Sequence, residues 1–342
     1  MIKILSLLFL LSLFSCKESE TNYTDRRHAL IANIDAKENL LTYSYSNDND
    51  YAIKIEDLKT NKTIFSTKIT DNCFTEPKIH QDKLYFPESN QTFICLDYKT
   101  KKIIWKLPTK GRIREFQFVK DDLIIASIDL YGLVAINSDT GKVMYELLLH
   151  SNKNCQIDNA PYPIGFDEKY LYVANFNCTS LSTYEIYSGK NIWSKKENPT
   201  ALSNFIVAGE YLFIGSNESD KKSKIMLLEA KTGKLLFKQN SSFDIFMDPM
   251  VYQNKIYYQT SNSLLNVFDT EKKTIKTVFN FNKTDHIGCN QIYQVDHSLY
   301  IQDCNYNVNK IDLKTNKRQI VDKGQKGLLG VYKINHVVKF IY

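Results

Sequence analysis

Short apolar runs, separated by polar turns, follow one another along almost the whole chain. In one such stretch the apolar residues 225–228 lead into a polar turn centred on Gly233, and a second apolar run, residues 235–237, follows it. Runs of this length, bounded by turn residues, are typical of β-strands joined as hairpins. The pattern therefore predicts an all-β protein.

One polar turn recurs as a repeat. Each copy begins with an acidic residue or asparagine, here called the lead residue, and its turn centre follows four residues later. The lead residues of the seven copies are Asp57, Asp97, Asn137, Glu185, Glu229, Asp269 and Asp312. They are spaced 40 to 48 residues apart. This period predicts a propeller with one blade per repeat.

The lead side chain and the turn centre predict how each repeat turn is closed. A carboxylate or amide oxygen at the lead position can accept hydrogen bonds from turn amides. The turn centre is Asn61, Gly141, Gly189, Gly233 or Asn316 in five copies. These two residue types tolerate a positive φ. Lys101 and Lys273 occupy the other two centres, so we expect a different turn in those hairpins.

A bulky ring follows the turn centre by four residues in five copies. These residues are Phe65, Trp105, Tyr145, Trp193 and Phe237, and Thr277 and Ile320 take the position in the last two copies. A ring at a fixed blade position can fill the wedge between neighbouring sheets, where it buries about 150–250 Å². We interpret these rings as core residues, not as a site for stacking a sugar or a cofactor.

A second hairpin lies between successive copies, and such hairpins also precede the first copy and follow the last. Four strands per repeat, joined in sequence, fit an antiparallel blade. We predict a β-propeller of seven four-stranded blades over residues 28–342. Because the inner hairpins number eight, an eighth partial blade, or a closing blade built from both chain ends, is the alternative.

The motif Asp-x-x-Thr-Gly-Lys-x-x-Trp resembles the repeat of the PQQ-like (quinoprotein alcohol dehydrogenase-like) β-propellers. Prolines near the starts of inner strands, at Pro77, Pro161 and Pro249, are a further similarity. The resemblance implies the fold and no single function, since this scaffold hosts catalysts, receptors and assembly factors. The functional analogy that it suggests is a propeller lipoprotein of the outer-membrane β-barrel assembly machinery, whose surface loops engage a partner protein.

The amino terminus resembles a bacterial lipoprotein signal. Lys3 precedes an apolar run, residues 4–14, and Ser15 and Cys16 follow it. The run is shorter than the about 20 residues of a membrane span. We predict a signal peptide over residues 1–15, lipidation of Cys16 and a flexible polar tether over residues 16–27. A plain secretory signal is the alternative.

Composition excludes one class of partner. The formal net charge of +6 is spread over mixed charges without a basic run, whereas nucleic-acid binding needs clustered lysine and arginine. A chain of 342 residues with 43% hydrophobic residues suits one large domain. We expect a monomeric propeller that binds no nucleic acid.

The cysteines suggest disulfides. Six of the seven remain once Cys16 is lipidated, an even number in an exported protein. Cys289 and Cys304 stand opposite each other about a predicted two-residue turn, so a cross-strand disulfide is plausible. Cys155 and Cys178 form a second candidate pair, and Cys73 and Cys95 are either a third pair or buried thiols.

Neither a metal nor a redox cofactor is predicted. His286, Cys289, His297 and Cys304 are the densest group of possible zinc ligands, but they include only one tightly spaced pair. Quinoprotein dehydrogenases of the resembled fold carry an adjacent cysteine pair, which this chain lacks. We therefore expect no cofactor and no catalysis.

The funnel at the propeller axis is the remaining candidate site. Residues just before the inner strands should reach its mouth: Glu76, Arg112, Arg114, Asp158, Asn159, Asn204, Asp248 and Asn290. Such groups could bind a sugar, a peptide or a cation, or they could only solvate the entrance. An enzyme would need an acid/base pair there, such as Glu76 with Asp158 or Asp248.

These observations favour a noncatalytic lipoprotein of the cell envelope, anchored at the outer membrane and binding an envelope protein or surface macromolecule. One alternative is an extracytoplasmic enzyme acting at the funnel, either a quinoprotein relative or a polysaccharide-cleaving propeller. Another is a receptor for a carbohydrate or peptide at the same mouth.

Overall fold

A computed structural model gives the fold of the protein. It describes residues 29–342 except positions 36, 48–49, 71–72, 74, 89–90, 150–163, 176–179, 197–200, 219–221, 242, 244, 246–248, 282–291, 304, 324–326, 329 and 335. All regular secondary structure in the described ranges is β-strand. The all-β prediction is therefore confirmed.

The first four sheets each contain four consecutive strands. Blade 1 comprises β1 (Ala29–Asp35), β2 (Leu40–Asn47), β3 (Asp50–Asp57) and β4 (Lys62–Ile69). Blade 2 comprises β5 (Lys78–His80), β6 (Lys83–Glu88), β7 (Thr92–Asp97) and β8 (Lys102–Pro108). Blade 3 comprises β9 (Ile113–Lys120), β10 (Leu123–Ile128), β11 (Gly132–Asn137) and β12 (Val143–Leu148). Blade 4 comprises β13 (Ile164–Phe166), β14 (Tyr170–Asn175), β15 (Ser180–Glu185) and β16 (Asn191–Lys196).

Three more four-stranded sheets and one two-stranded sheet follow. Blade 5 comprises β17 (Ala201–Ala208), β18 (Tyr211–Glu218), β19 (Lys222–Glu229) and β20 (Leu235–Ser241). Blade 6 comprises β21 (Met250–Tyr252), β22 (Lys255–Thr260), β23 (Leu264–Asp269) and β24 (Thr274–Asn280). Blade 7 comprises β25 (Tyr293–Val295), β26 (Ser298–Gln302), β27 (Asn307–Asp312) and β28 (Arg318–Lys323). The last sheet comprises β29 (Gly330–Ile334) and β30 (Val337–Ile341).

The two-stranded sheet closes the ring between blades 7 and 1. Tyr332 and Ile334 pack with Tyr43 of blade 1, and Phe340 packs with Tyr300 of blade 7. Among the described residues, seven blades are complete and the eighth has only an inner hairpin. The prediction of seven four-stranded blades is confirmed, and the partial eighth blade offered as its alternative is present beside them.

The propeller has two distinct faces. Strands within each sheet are antiparallel and in sequence order, so the inner-hairpin turns and the repeat turns lie on the same face, here called the turn face. The connections between blades lie on the opposite face, here called the linker face. The funnel residues near the starts of the inner strands belong to the linker face.

The aspartates among the lead residues close their repeat turns as predicted. Asp57 Oδ1 accepts hydrogen bonds from the amides of Lys59 and Thr60 at 2.7 and 3.0 Å, and these bonds lower the pKa of Asp57. Asp97, Asp269 and Asp312 make the same pair of bonds to their own turns. The amides of its own turn therefore fix each of these carboxylates, without a buried partner from elsewhere in the fold.

The prediction of a different turn at Lys101 and Lys273 is wrong. Both residues have a positive φ, 60° and 53°, as do the glycines and asparagines at the other turn centres. The amide of Lys273 donates to the carbonyl of Asp269 at 2.8 Å, the same bond and length as from Gly233 to Glu229. The paired strands and the lead carboxylate hold the turn, and the lysine tolerates a conformation that costs about 1–2 kcal/mol.

The rings pack between blades as predicted, and three of them also cover a turn. Trp105 Nε1 donates to the carbonyl of Ser138, in the repeat turn of the next blade, at 2.8 Å. A Cβ atom on Gly141 would lie 2.7 Å from the Trp105 ring. Glycine is therefore required at this turn centre for close approach as well as for its φ of 69°.

The same contact recurs in the following blades. Trp193 donates to the carbonyl of Ala230 at 3.1 Å, and Tyr145 donates to that of Ile186 at 2.7 Å. Each of these rings lies against the next turn glycine, Gly233 or Gly189. Lysine occupies the turn centre where the preceding blade supplies Phe65 or Phe237 instead, rings with no polar atom to bond a turn carbonyl.

Cys73 and Cys95 do not form a disulfide. Both are buried free thiols, and they pack in different hydrophobic clusters, Cys73 between blades 1 and 2 and Cys95 between blades 2 and 3. Burial raises the pKa of Cys73 to about 12 and that of Cys95 to about 11. A third disulfide is therefore excluded, and both thiols are core residues of low reactivity.

Candidate functional site

Glu76 lies where the inner strands of several blades converge. It receives a hydrogen bond from the Asn33 side chain of β1, and its Oε2 lies 3.9 Å from the Lys78 ammonium of β5. The charge of Glu115 of β9 acts on Glu76, and the charge of Glu76 acts on Tyr293 of β25. Groups from blades 1, 2, 3 and 7 thus surround this carboxyl group.

Neighbouring blades fix the segment that carries Glu76. Thr75 Oγ1 donates to the carbonyl of Ile113 in blade 3 at 2.8 Å. Thr42 Oγ1 of blade 1 donates to the carbonyl of Pro77 at 2.6 Å. These bonds hold the two residues that flank Glu76 to two different blades. The packing of neighbouring blades around the propeller therefore determines where the Glu76 side chain lies.

The surroundings of Glu76 alter its titration. Burial raises the pKa of Glu76 and the nearby charge of Glu115 adds to the increase, while Lys78 and Asn33 oppose it. Glu115 accepts a hydrogen bond from Gln117 at 2.6 Å. The funnel therefore holds a carboxyl group that keeps its proton to higher pH than an ordinary glutamate, next to a second carboxylate. Such a pair can exchange protons with a ligand or bind hydroxyl groups.

Arg112 and Arg114 flank the first residue of β9, so Arg114 lies inside the inner strand. Its Nε donates to both carboxylate oxygens of Asp129, at 2.6 and 2.7 Å, and the Asp129 side chain is only 13% exposed. Arg112 is half-buried, and its carbonyl accepts the Asp129 amide at 2.9 Å. Arg114 is thus engaged in an ion pair within blade 3.

The other predicted site residues are placed only in part. Asn204 lies within β17 instead of preceding it. Asp158, Asn159, Asp248 and Asn290 lie outside the described residues, as do Cys16, Cys155, Cys178, Cys289 and Cys304. Sequence reasoning missed Asn33, Lys78 and Glu115, which lie on inner strands. No signal in the local sequence separated them from the other polar residues of these strands.

No group of three histidine, cysteine, aspartate or glutamate side chains in the described part of the chain is arranged to hold a metal ion. No helix there has the length and hydrophobicity to span a membrane.

Comparison with known proteins identifies the family. Residues 73–175 and 177–279 each match the family of outer membrane protein assembly factor BamB, and together they make up more than half of the chain. The chain belongs to the BamB family. This assignment confirms the resemblance to PQQ-like propellers, and both matched segments run across blade boundaries. A comparison with curated proteins finds no match.

Solved structures share the fold at low sequence identity. BamB from Moraxella catarrhalis is 13% identical, with a TM-score of 0.59 over 79% of this chain and 80% of that one. The computationally designed Ika8 protein is 11% identical, with a TM-score of 0.67 over 92% and 96%. The Cps50 (Swd1) β-propeller domain of Myceliophteria thermophila is 12% identical, with a TM-score of 0.53 over 81% and 93%. These likenesses support the propeller fold of this BamB-family chain.

Proposed function

We propose that the protein is a noncatalytic, lipid-anchored scaffold of the bacterial cell envelope that binds a protein partner at the outer membrane. The observation that carries the proposal is the family match over more than half of the chain, since the family is described as an outer membrane protein assembly factor. A propeller alone supports no such conclusion, because the fold serves many functions.

The rim of the propeller offers a surface for such a partner. Ile103 and Ile104, adjacent in the outer strand β8, are 53% and 42% exposed. Ile64 of blade 1, Met144 of blade 3 and Ile192 of blade 4 are also exposed just past their repeat turns. Exposed aliphatic side chains on the outer strands of neighbouring blades are suited to protein docking.

Partner capture tests the proposal. We expect the tagged protein, purified from detergent-solubilised envelopes, to retain one envelope protein in stoichiometric amount, and the double substitution Ile103→Ser, Ile104→Ser to lower this retention at least tenfold. Leu235→Ser, which removes an aliphatic side chain 41% exposed on blade 5, is the matched control and should retain the partner. The absence of a stoichiometric partner, or equal loss in both variants, would contradict the proposal.

An enzyme acting at the funnel is the second candidate. The raised pKa of Glu76 favours it, because a carboxyl group with a raised pKa can serve as a general acid. Glu76→Gln separates the two candidates. A scaffold keeps its partner after this substitution, whereas a funnel enzyme loses turnover of an envelope polysaccharide.

Anchoring through Cys16 is part of the proposal and rests on the amino-terminal sequence pattern. We expect Cys16→Ser to move the protein from the detergent phase to the aqueous phase in detergent partitioning, because the acyl chains supply the membrane affinity. Cys73→Ser, a change at a buried core thiol, is the control and should leave a folded protein in the detergent phase. Equal partitioning of wild type and Cys16→Ser would exclude lipidation at this residue.

A further inference from the structure

The groove between blades 2 and 3 shows how a turn-face groove is normally closed in this protein. Trp105 pairs with Cys95, two residues before the lead residue of its blade, and its ring covers the next repeat turn. Beside it, Lys83 Nζ lies 2.5 Å from Oδ1 of Asp139, two residues after the lead residue of blade 3. A ring and an ion pair therefore fill the space.

The groove between blades 6 and 7 lacks this ring. Val267 is the residue two before the lead residue Asp269, and it pairs with Lys276. In both blades the pairing of the third and fourth strands shifts by one residue at an irregularity. This irregularity lies farther from the repeat turn in blade 6 than in blade 2. Lys276, and not Thr277, therefore occupies the structural position of the ring, which the spacing of the sequence repeat misplaces by one residue.

The ion pair is missing from this groove as well. Lys255 pairs with the lead residue of its blade, as Lys83 does, and so takes the place of Lys83. Lys314 stands two residues after the lead residue Asp312 and so takes the place of Asp139. Two like charges thus replace a lysine and an aspartate.

These changes leave a basic cleft on the turn face. The cleft has a volume of about 250 Å³, and its lining includes Lys255, Lys272, Lys276, Lys314, Thr274 and Asn316. Among the described residues, none of the four ammonium groups has an ion-pair or hydrogen-bond partner. The one carboxylate in the lining, Asp269, accepts amide hydrogen bonds from Glu271 and Lys272 in its own turn.

We propose that this cleft, between blades 6 and 7, is an anion-binding site that takes a phosphate group. Four lysines line one cleft, and a bound anion would offset the repulsion among their like charges. The volume of about 250 Å³ is below the about 300–1,000 Å³ of sites that enclose a whole small-molecule ligand, and it suits a single charged group. A phosphate group carries about −1.5 to −2 charges and three acceptor oxygens, which suits several lysines better than a single carboxylate does.

The site is independent of the partner-binding role proposed above, since it lies on other blades and would persist if no protein partner exists. Inorganic phosphate, titrated calorimetrically into the full-length protein, is the first probe. We expect saturable binding to the wild type and affinity at least tenfold lower for Lys276→Met and for Lys314→Asp. The second substitution places a carboxylate beside Lys255, as in blades 2 and 3.

Lys231→Asp is the matched control, because Lys231 is exposed and holds the same repeat position in blade 5 with the same change of charge. It should bind phosphate with less than a threefold change. Absence of saturable binding to the wild type, or equal weakening in Lys231→Asp, would overturn the proposal.

Vesicles distinguish the source of the phosphate. The vesicle assay uses the Cys16→Ser background, so that the proposed lipid anchor does not itself hold the protein on the membrane. In this background, retention on vesicles containing phosphatidic acid, but not on phosphatidylcholine alone, would identify a lipid headgroup if Lys314→Asp abolishes it. Phosphate binding without such retention would identify a soluble phosphate compound. Retention that is equal in wild type and Lys314→Asp, without phosphate binding, would exclude the cleft.

Discussion

Replacing Asp303 with alanine is expected to lower the free energy of unfolding by about 3–5 kcal/mol. The Asp303 side chain is fully buried in blade 7 and lies 3.9 Å from Arg318. It accepts hydrogen bonds from the amides of Asn305 and Asn307 at 3.0 and 2.9 Å, and from the Asn309 side chain at 3.1 Å. The substitution leaves the buried Asn309 amide group, the two backbone amides and the guanidinium group without their shared acceptor.

Denaturant unfolding monitored by fluorescence measures this loss. Asp50→Ala is the control, since Asp50 and Lys68 form an ion pair at 2.9 Å in which the side chains are 57% and 82% exposed, and it should change stability by at most about 1 kcal/mol. Similar losses in both variants would show that the Asp303 network contributes no more than a surface pair.

Gly141→Ala is expected to cost about 2–4 kcal/mol, the second-largest effect. The left-handed backbone at φ 69° accounts for about 1–2 kcal/mol of this. The rest arises because the new methyl group would lie 2.7 Å from the Trp105 ring, which its hydrogen bond to Ser138 holds in place. Denaturant unfolding measures this loss of stability. The loss caused by Gly141→Ala should be smaller when Trp105 is also replaced by phenylalanine.

Lys101→Gly provides the complementary test at the same turn position. Lys101 also has a positive φ, but the ring in the preceding blade is Phe65, which has no polar atom. We expect this substitution to raise stability by about 0.5–1 kcal/mol, because relief of the left-handed lysine exceeds the entropy cost of glycine. Destabilisation by Lys101→Gly would show that the lysine side chain itself supports the turn.

The funnel illustrates how much of a site the sequence can predict. Glu76 was identified because residues near the starts of inner strands must approach the axis. Glu115 and Asn33 were not, because which alternate residues of an inner strand face the axis depends on the tilt and twist of the blade. Arg114 lies inside β9 instead of preceding it, and its side chain pairs with Asp129 in its own blade. Whether such an ion pair forms depends on which turn of the folded blade lies beside the strand.

The amino-acid sequence by itself determined the strands, the repeat, the blade count and the lead carboxylates, because these depend on local periodicity and on contacts within a few residues. Tertiary structure decided how the ring closes, with β29 and β30 packed between blades 7 and 1. It also decided that Lys101 keeps the common turn and that Lys276, not Thr277, faces blade 7. A register shift of one residue moves a side chain to the other face of a strand, and the neighbouring strands that set that register lie beyond the reach of local sequence.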